Sequence, residues 1–355
     1  MDTEKTEPTM TVHLKDIAAY TGVSIKTVSN VVNGNYARVS SETRVAVLEA
    51  IKKLNYQPNM AARHLRKARV GVIAFALPDL SNPYFADIGN AITAAAAEHD
   101  YTVLLDYTSA DRDKELLVVK GLRPHLVDGI ILDSHALDVE DILPDEVRTP
   151  IVLLGERLFG APFNHVLVDN VAAAYAATQH LLSLGRRRIA AIGTLDHCQS
   201  EAPWLRLQGY RQALEEAGQQ VDTRMLGDGG SWHRADGAEA MRHLLALDDP
   251  PDAVFCFNDL MALGAMSVLH ARGLRIPEDI AVIGFDDIED GRYAYPTLTT
   301  IAPDKEEIGR RAVSLLIEDI KETLAQPPQC IKVPFHLCIR QSTVGRQQNI
   351  VGLKN

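Results

Sequence analysis

Polar and aromatic side chains follow several of the apolar, strand-like runs between residues 70 and 290. The run GVIAFALP precedes PDLSNPYFAD, PIVLLG precedes a glutamate, and VIGF precedes two aspartates. Arginine can donate paired hydrogen bonds to neighbouring oxygens, carboxylates can accept from hydroxyl groups, and an aromatic ring can stack on another ring. With an arginine in WLRLQGY and a tryptophan expected to be exposed in the loop GSWHRADG, these residues could bind a hydroxyl-bearing or planar ring, and the candidates are Asn82, Tyr84, Phe85, Glu156, Arg206, Trp232, Asn258 and Asp286.

Each candidate also has an ordinary structural explanation. Tyr84 and Phe85 could pack at the start of a helix, and Arg206 could be a surface charge. Asn258 and Asp286 could cap helices. The ligand-binding interpretation therefore needs a fold that brings the candidates together.

A second group of residues is basic and lies earlier in the chain. The chain carries a formal net charge of -11, yet residues 1–69 hold 11 Lys+Arg against 6 Asp+Glu, whereas residues 70–355 hold 25 against 41. A small basic head on a large acidic body indicates a nucleic-acid contact confined to the head.

The head ends in the stretch PNMAARHLRKAR, residues 58–69. A helix here would carry Leu65 as its only large aliphatic residue beyond Met60, which is too few for a core-facing helix. We therefore predict a hinge helix that orders on DNA, with Leu65 wedged between base steps in the minor groove beside Arg63 and Arg66. A linker that happens to be basic is the alternative.

Three short helices are predicted before this stretch. LKDIAAY forms the first, the second is IKTVSNVVN with Ser24 as its cap and Gly34 at its end, and the third runs from Ser40 or Ser41 to about Leu54. In the third helix we expect three apolar residues to face inward, namely Val45, Leu48 and Ile51. The pattern is typical of a helix-turn-helix domain over residues 11–57, and a plain three-helix bundle is the alternative.

The second helix of such a domain would enter the major groove. Its side chains expected at base edges are Ile25, Lys26 and Asn30. Hydrogen bonds to phosphates, which position the protein without specifying sequence, are expected from Ser24, Thr27, Ser29 and Asn33.

From residue 70 onward, apolar strand-like runs alternate with helical ones. This alternation predicts parallel sheets covered by helices on both faces, and the length fits two doubly wound halves with a boundary near residue 170. The expected halves are residues 70–169 with about 303–336, and 170–302 with about 337–345, as in type I periplasmic binding proteins. A ligand would bind between them, beyond the carboxyl ends of the strands.

The segments LKDIAAYTGVSIKTVSNVVNG, VSSETRVAVLEAIKKLNYQPN, AARHLRKAR and FNDLMALGAMSVL, together with DIAVIGFDDIEDG, resemble the lactose-repressor (LacI/GalR) family of bacterial regulators over about residues 11–345. The resemblance implies that Leu65 intercalates at the centre of the operator. It also implies that Arg206, Asn258 and Asp286 bind effector hydroxyls and that Trp232 packs against the ligand.

Two segments depart from the family pattern. The loop GNYARVSSE is one residue longer than usual, which leaves its phosphate contacts undefined. The segment GTLDHCQSEAPW differs in length and content, so an individual specificity could lie in His197, Gln199 and Glu201.

These features predict a repressor that a small molecule releases from a pseudo-palindromic double-stranded operator. The resemblance implies a homodimer, because the tail lacks the leucine heptad that would form a tetramer. We expect a sugar or sugar derivative as effector. The alternatives are a nucleobase- or nucleoside-type corepressor and a plain solute-binding protein.

An enzyme is not expected, because no glycine-rich phosphate loop follows the first strand and no G-x-S-x-G motif occurs. Neither a cofactor nor a metal is expected, since the cysteines lack metal-ligand spacing; they are Cys198, Cys256, Cys330 and Cys338. The absence of a long apolar run and of a signal pattern predicts a cytoplasmic protein without membrane contact.

Overall fold

The computed structural model describes residues 12–32, 34–56, 69–120, 126–144, 147, 149–195, 201–321 and 327–345. The chain divides into two compact units, residues 1–69 and residues 70–355. They are called the head and the body below, and each is described by itself. No helix of the described residues is long and apolar enough to cross a membrane.

The head contains the three predicted helices, α1 (Leu14–Thr21), α2 (Ile25–Val32) and α3 (Ser41–Lys53). Gly22, at a φ of 70°, supplies the left-handed conformation that ends α1 and permits the sharp turn into α2. The Ser24 hydroxyl accepts from the Thr27 N–H at 3.1 Å, so Ser24 caps α2 as predicted.

The core of the head is small and apolar, and its buried residues are Ile17, Ala18, Val28, Val31, Val47 and Ala50. Two of the expected inward residues of α3 are not among them, because Val45 is 54% exposed and Leu48 is 43% exposed. The helix is rotated so that the stripe of Val47, Ala50 and the half-buried Ile51 faces α1 and α2. The predicted face of α3 was therefore wrong for Val45 and Leu48.

The body is built from two six-stranded sheets. The first has the order β11-β5-β4-β3-β1-β2 and the second β12-β10-β9-β8-β6-β7. The strands are β1 (Val72–Leu77), β2 (Thr102–Tyr107), β3 (Gly129–Asp133), β4 (Ile151–Leu154), β5 (Asn164–Val168), β6 (Ile189–Thr194), β7 (Leu226–Asp228), β8 (Ala253–Cys256), β9 (Ala281–Phe285), β10 (Thr299–Pro303), β11 (Cys330–Val333) and β12 (Phe335–Cys338). All paired strands are parallel except β10 and β12.

Helices connect these strands. They are α4 (Pro83–Ala97), α5 (Arg112–Lys120), α6 (Asn170–Ser183), α7 (Ala202–Glu216), α8 (Arg234–Leu244), α9 (Asp259–Ala271), α10 (Glu289–Tyr293), α11 (Lys305–Ile320) and α12 (Gln341–Val344). The doubly wound α/β architecture predicted from the alternation of apolar runs is confirmed. In both sheets the parallel strands direct their carboxyl ends toward the loops that carry the candidate residues.

Close helix contacts in the body depend on glycine. A Cβ on Gly264 of α9 would lie 1.9 Å from the backbone oxygen of Arg234 in α8. Gly237 of α8 faces the backbone of Met261 in the same way, and a Cβ on this glycine would lie 2.2 Å from the Met261 oxygen. The two helices therefore pack backbone to backbone.

We expect Gly264→Ala to lower the free energy of unfolding by about 3 kcal/mol, because the rigid backbone neighbour cannot move aside for the added Cβ. Gly89→Ala is the matched control, since a Cβ on this glycine of α4 has its nearest neighbour at 3.7 Å. The control should be neutral or stabilising by up to about 1 kcal/mol because alanine favours the helix. Denaturant unfolding measures the free energy of unfolding of both variants. If the two variants are equally stable, α8 and α9 can move apart without loss of stability.

Candidate functional site

A cavity of about 620 Å³ lies between the carboxyl ends of strands from both sheets of the body. This volume is within the usual range for small-molecule sites. All eight residues predicted from the sequence line it, namely Asn82, Tyr84, Phe85, Glu156, Arg206, Trp232, Asn258 and Asp286. The fold thus brings together residues that are up to 204 positions apart.

Arg206 lies in the second turn of α7 and is 7% exposed. Its Nε donates to Asn170 Oδ1 at 2.7 Å, and its Nη1 donates to the backbone oxygen of Phe257. The guanidinium lies 3.5 Å from the centre of the Phe285 ring, which fixes its plane. No described residue accepts from Nη2, so one edge of the group remains for a ligand.

Asp286 follows β9 and is 5% exposed. Its N–H donates to the Ile301 oxygen at 2.8 Å and it adopts a φ of 111°, whereas its carboxylate has no hydrogen-bond partner among the described residues. Burial raises the pKa of Asp286 to about 6, although the charges of Arg206 and Lys305 oppose the shift. A buried carboxylate without a donor is costly, and hydroxyl groups of a ligand would relieve that cost.

Glu156 follows β4 and is half-buried at the cavity wall. Burial raises its pKa to about 7; the positive charge of Arg206 opposes this shift and Asp133 adds to it. Burial also lowers the pKa of Arg206, while the charges of Asp286 and Glu156 act to raise it. Asp286, Glu156 and Arg206 therefore lie close enough for the charge of Arg206 and those of the two carboxyl groups to shift one another's pKa.

Aromatic rings form another part of the wall. Tyr84 and Phe85 meet edge to face with their centroids 5.3 Å apart. The Arg206 guanidinium carbon lies 5.4 Å from the centre of the Trp232 ring. Trp232 is half-buried rather than exposed as expected, because its loop folds against Phe257 and Gly229. An aromatic face and a charged edge thus lie side by side in the cavity.

Two of the predicted residues cap helices as well as lining the cavity. Asn82 Oδ1 accepts from the Tyr84 N–H at 3.1 Å at the start of α4. Asn258 Oδ1 accepts from the Met261 N–H at 2.8 Å, and its Nδ2 donates to the Trp232 oxygen at 2.8 Å. Both ends of the Asn258 amide are engaged, so this residue holds the Trp232 loop in place.

Sequence reasoning missed other polar residues of the cavity. Asp133 ends β3, and His135 follows it with its Nε2 3.4 Å from Asp133 Oδ1. Arg157 pairs with Glu201 of the segment singled out for its unusual content. Loops that follow the carboxyl ends of parallel strands reach the cavity, and this signal identifies Asp133 directly after GIIL. His197 and Gln199 lie outside the described residues.

The predicted DNA-contacting residues lie on and just before α2 of the head. Ile25 is 52% exposed, Lys26 is exposed, and Thr27, Ser29 and Asn30 are partly exposed. The hydroxyls of Ser24 and Thr27 lie 2.8 Å apart and take part in the helix cap. The other predicted contacts lie outside the described residues, namely Asn33, Arg63, Leu65 and Arg66.

Comparison with known proteins gives matches over both units. The family model described as "Bacterial regulatory proteins, lacI family" matches residues 13–59, and that of a "Periplasmic binding protein-like domain" matches residues 178–343. Among curated proteins, the HTH-type transcriptional repressor PurR of Mannheimia succiniciproducens is 35% identical over 331 residues, covering 93% of this chain and 98% of the repressor.

Two solved structures are similar over nearly the whole chain. A complex of the transcriptional regulator CelR with cellobiose shows 34% sequence identity and a TM-score of 0.67, covering 93% of this chain and 99% of that one. The lac repressor dimer bound to operator and the anti-inducer ONPF shows 29% identity and a TM-score of 0.74, covering 94% and 99%.

Proposed function

The chain belongs to the lacI family of bacterial regulatory proteins and is a DNA-binding repressor rather than an enzyme, and we propose that its effector is a neutral ring compound rich in hydroxyl groups, a sugar or sugar derivative. The observation that carries this proposal is the free edge of Arg206 beside two carboxyl groups, the buried Asp286 and the half-buried Glu156. Vicinal hydroxyls can accept from such a guanidinium edge and donate to such carboxylates at the same time.

The charge around the cavity supports a neutral effector. Arg206 and Arg157 are its two arginines among the described residues, and Arg157 already pairs with Glu201. The carboxyl groups of the lining are more numerous, namely Asp79, Asp133, Glu156, Glu201 and Asp286. A phosphorylated ligand would meet net negative charge, which disfavours it.

A panel of compounds tests the effector class. Melting curves of the full chain with cellobiose, ribose, glucose 6-phosphate, adenosine and hypoxanthine should show stabilisation by at least one of the two neutral sugars, cellobiose and ribose. Glucose 6-phosphate should have no effect. Stabilisation by adenosine or hypoxanthine alone would instead support a nucleobase- or nucleoside-type corepressor, the second candidate, which the aromatic wall of Tyr84 and Trp232 could also accommodate.

The pH dependence of binding follows from the raised pKa values. Hydroxyl groups donate stronger hydrogen bonds to ionised carboxylates than to protonated carboxyl groups, and the pKa is about 7 for Glu156 and about 6 for Asp286 in the empty cavity. Effector affinity should therefore be constant above about pH 8 and fall as the pH decreases through 7 and 6, by up to about tenfold per unit. Calorimetric titrations between pH 5.5 and pH 8.5 measure this change in affinity. Stronger binding in acid would contradict the proposal that Glu156 and Asp286 accept hydrogen bonds from the effector.

The head is proposed to bind each half of a pseudo-palindromic operator through the exposed face of α2. The side chains proposed at base edges are Ile25, Lys26 and Asn30, and those proposed at phosphates are Ser24, Thr27, Ser29 and Asn33. Their exposure in the free protein supports this proposal where they are described.

Lys26→Ala should change the preferred base at one position of each half-site, at a cost of about 1–3 kcal/mol on the preferred sequence. Selection from random DNA by the wild type and the variant measures the preference. Lys15→Ala, which removes an exposed lysine of α1, is the matched control and should leave the preference unchanged. If Lys26→Ala weakens binding equally on all sequences, Lys26 contacts phosphate instead.

Two further proposals concern the assembly. The halves proposed for the body are residues 70–169 with about 303–336 and residues 170–302 with about 337–345, and the placement of β11 in the first sheet and of β10 and β12 in the second supports these bounds. We also propose a homodimer, because the edge strand β2 exposes apolar side chains that a partner would cover, namely Leu104, Leu105 and Tyr107.

A further inference from the structure

Glu115 of α5 is a fully buried carboxylate with an unusual set of partners. It accepts four hydrogen bonds from the loop after β3: from Ser134 Oγ at 2.6 Å, and from the N–H groups of His135, Ala136 and Leu137 at 3.0, 3.2 and 3.2 Å. These donors replace water and fix four consecutive residues around one carboxylate. The loop between residues 134 and 137 is therefore rigid at the cavity wall.

The rigid loop determines where His135 stands. Its ring packs edge to face on Phe85 with centroids 6.1 Å apart, and its Nε2 lies 3.4 Å from Asp133 Oδ1. The His135 side chain remains 52% exposed and belongs to the cavity lining. No described residue forms a hydrogen bond with its Nδ1, so this nitrogen is available to a ligand.

Arg157 holds the same loop from the other side. Its Nε donates to the Leu137 oxygen at 2.7 Å, while its Nη1 pairs with Glu201 at the start of α7, the helix that carries Arg206. His135 and Arg206 thus line one cavity and are placed by connected elements.

We propose that His135 is a specificity-determining residue that forms a hydrogen bond with one hydroxyl group of the effector, and that Glu115 is the residue that positions it. This inference rests on the proposed effector class. With Nε2–H directed to Asp133, neutral His135 offers Nδ1 as an acceptor, whereas protonated His135 offers Nδ1–H as a donor. A hydroxyl group satisfies either form, while a carbonyl oxygen or an amino group satisfies one alone.

The acidic surroundings support this choice of ligand group. The charged groups that face His135 are Asp133 of β3, Glu115 of α5, Glu201 before α7 and Glu156 after β4. Burial lowers the pKa of His135, but the hydrogen bond to Asp133 and the negative charges of Asp133, Glu115 and Glu201 act in the opposite direction, and the net effect is a raised pKa. A hydroxyl group keeps its hydrogen bond with either form of the ring.

The test compares two variants of the full chain, with cellobiose, ribose and adenosine as calorimetric probes. His135→Phe keeps the ring against Phe85 but removes the hydrogen bond, and it should weaken binding about tenfold, the value of one hydrogen bond to a buried partner. His135→Gln keeps a donor and an acceptor and should stay within about threefold of the wild type. The loss in His135→Phe should be the same at pH 6 and pH 8, relative to the wild type.

The positioning role of Glu115 is tested by replacing it in the wild type and in His135→Phe. Glu115→Gln should also weaken binding of the probe compounds about tenfold. In the double variant with His135→Phe, it should cause no further loss of affinity. A general loss of stability would weaken binding in both backgrounds and would overturn the positioning role. Binding to His135→Phe as tight as to the wild type would overturn the inference while leaving the effector class intact. If none of the three probes binds the wild type, the effector class itself is wrong.

Discussion

Asp286→Ala is expected to lose the response to effector while keeping its affinity for operator DNA. Asp286 is buried beside Arg206, and its carboxylate has no donor among the described residues. Truncation removes the acceptor for the effector and leaves the Arg206 charge without its facing carboxylate. The loss should be about 3 kcal/mol, or roughly 100-fold in effector affinity, as for the loss of hydrogen bonds to a charged acceptor.

Operator affinity should not change, because Asp286 belongs to the body and the predicted DNA contacts belong to the head. Fluorescence anisotropy with labelled operator, measured with and without effector, separates the two properties. Asp290→Ala is the matched control, since Asp290 forms an exposed ion pair with Arg234 at 3.1 Å and should not affect the response. A full response in Asp286→Ala would remove this residue from the site.

The periodicity of apolar residues predicts the body well because buried parallel strands are continuous apolar runs. β3, β4, β8 and β9 are buried along their whole length and were all evident. The short edge strands β7 and β11 lack such runs, and neither was predicted. Their pairing depends on neighbouring strands that are distant in the sequence.

Only part of the candidate site follows from the rule that ligands bind beyond the carboxyl ends of parallel strands. That rule finds which loops reach the cavity, and therefore which residues line it. It does not find that Asn258 Nδ2 donates to the Trp232 oxygen, or that Glu115 fixes a loop twenty residues later. The first contact depends on how the Trp232 loop folds and the second on the packing of α5 against the first sheet, and neither has a local signal in the sequence.

The face of α3 shows the same limit. Val45, Leu48 and Ile51 recur at intervals of three, which fits a helix but does not decide which stripe is buried. The actual stripe includes the small Ala50, because α3 lies close to its neighbours at that point.

Leu65→Ala is expected to reduce binding to the specific operator by roughly 100-fold, about 3 kcal/mol, while leaving non-specific binding nearly unchanged. The prediction rests on the sequence of residues 58–69, where basic residues surround a single large aliphatic side chain. Cations attract any phosphate backbone, but a wedge contributes only where the DNA can open a base step.

The operator itself can be found by selecting genomic fragments with the purified protein.

Two variants serve as controls for the wedge. Leu65→Met keeps an apolar wedge and should retain most of the specific affinity, whereas Arg66→Ala should weaken specific and non-specific binding alike and reduce the salt dependence. Equal losses on both kinds of DNA in Leu65→Ala would mean that the leucine does not enter the stack.

A change in the DNA provides an independent test of the same wedge. Replacing a flexible pyrimidine–purine step at the operator centre by a stiff A-tract raises the cost of kinking. The wild type should bind the stiff operator more weakly, whereas Leu65→Ala should bind both operators alike because it no longer opens that step. If the variant still distinguishes the two, the discrimination comes from the spacing of the half-sites or from the groove width sensed by Arg63 and Arg66, and the basic stretch acts through charge alone.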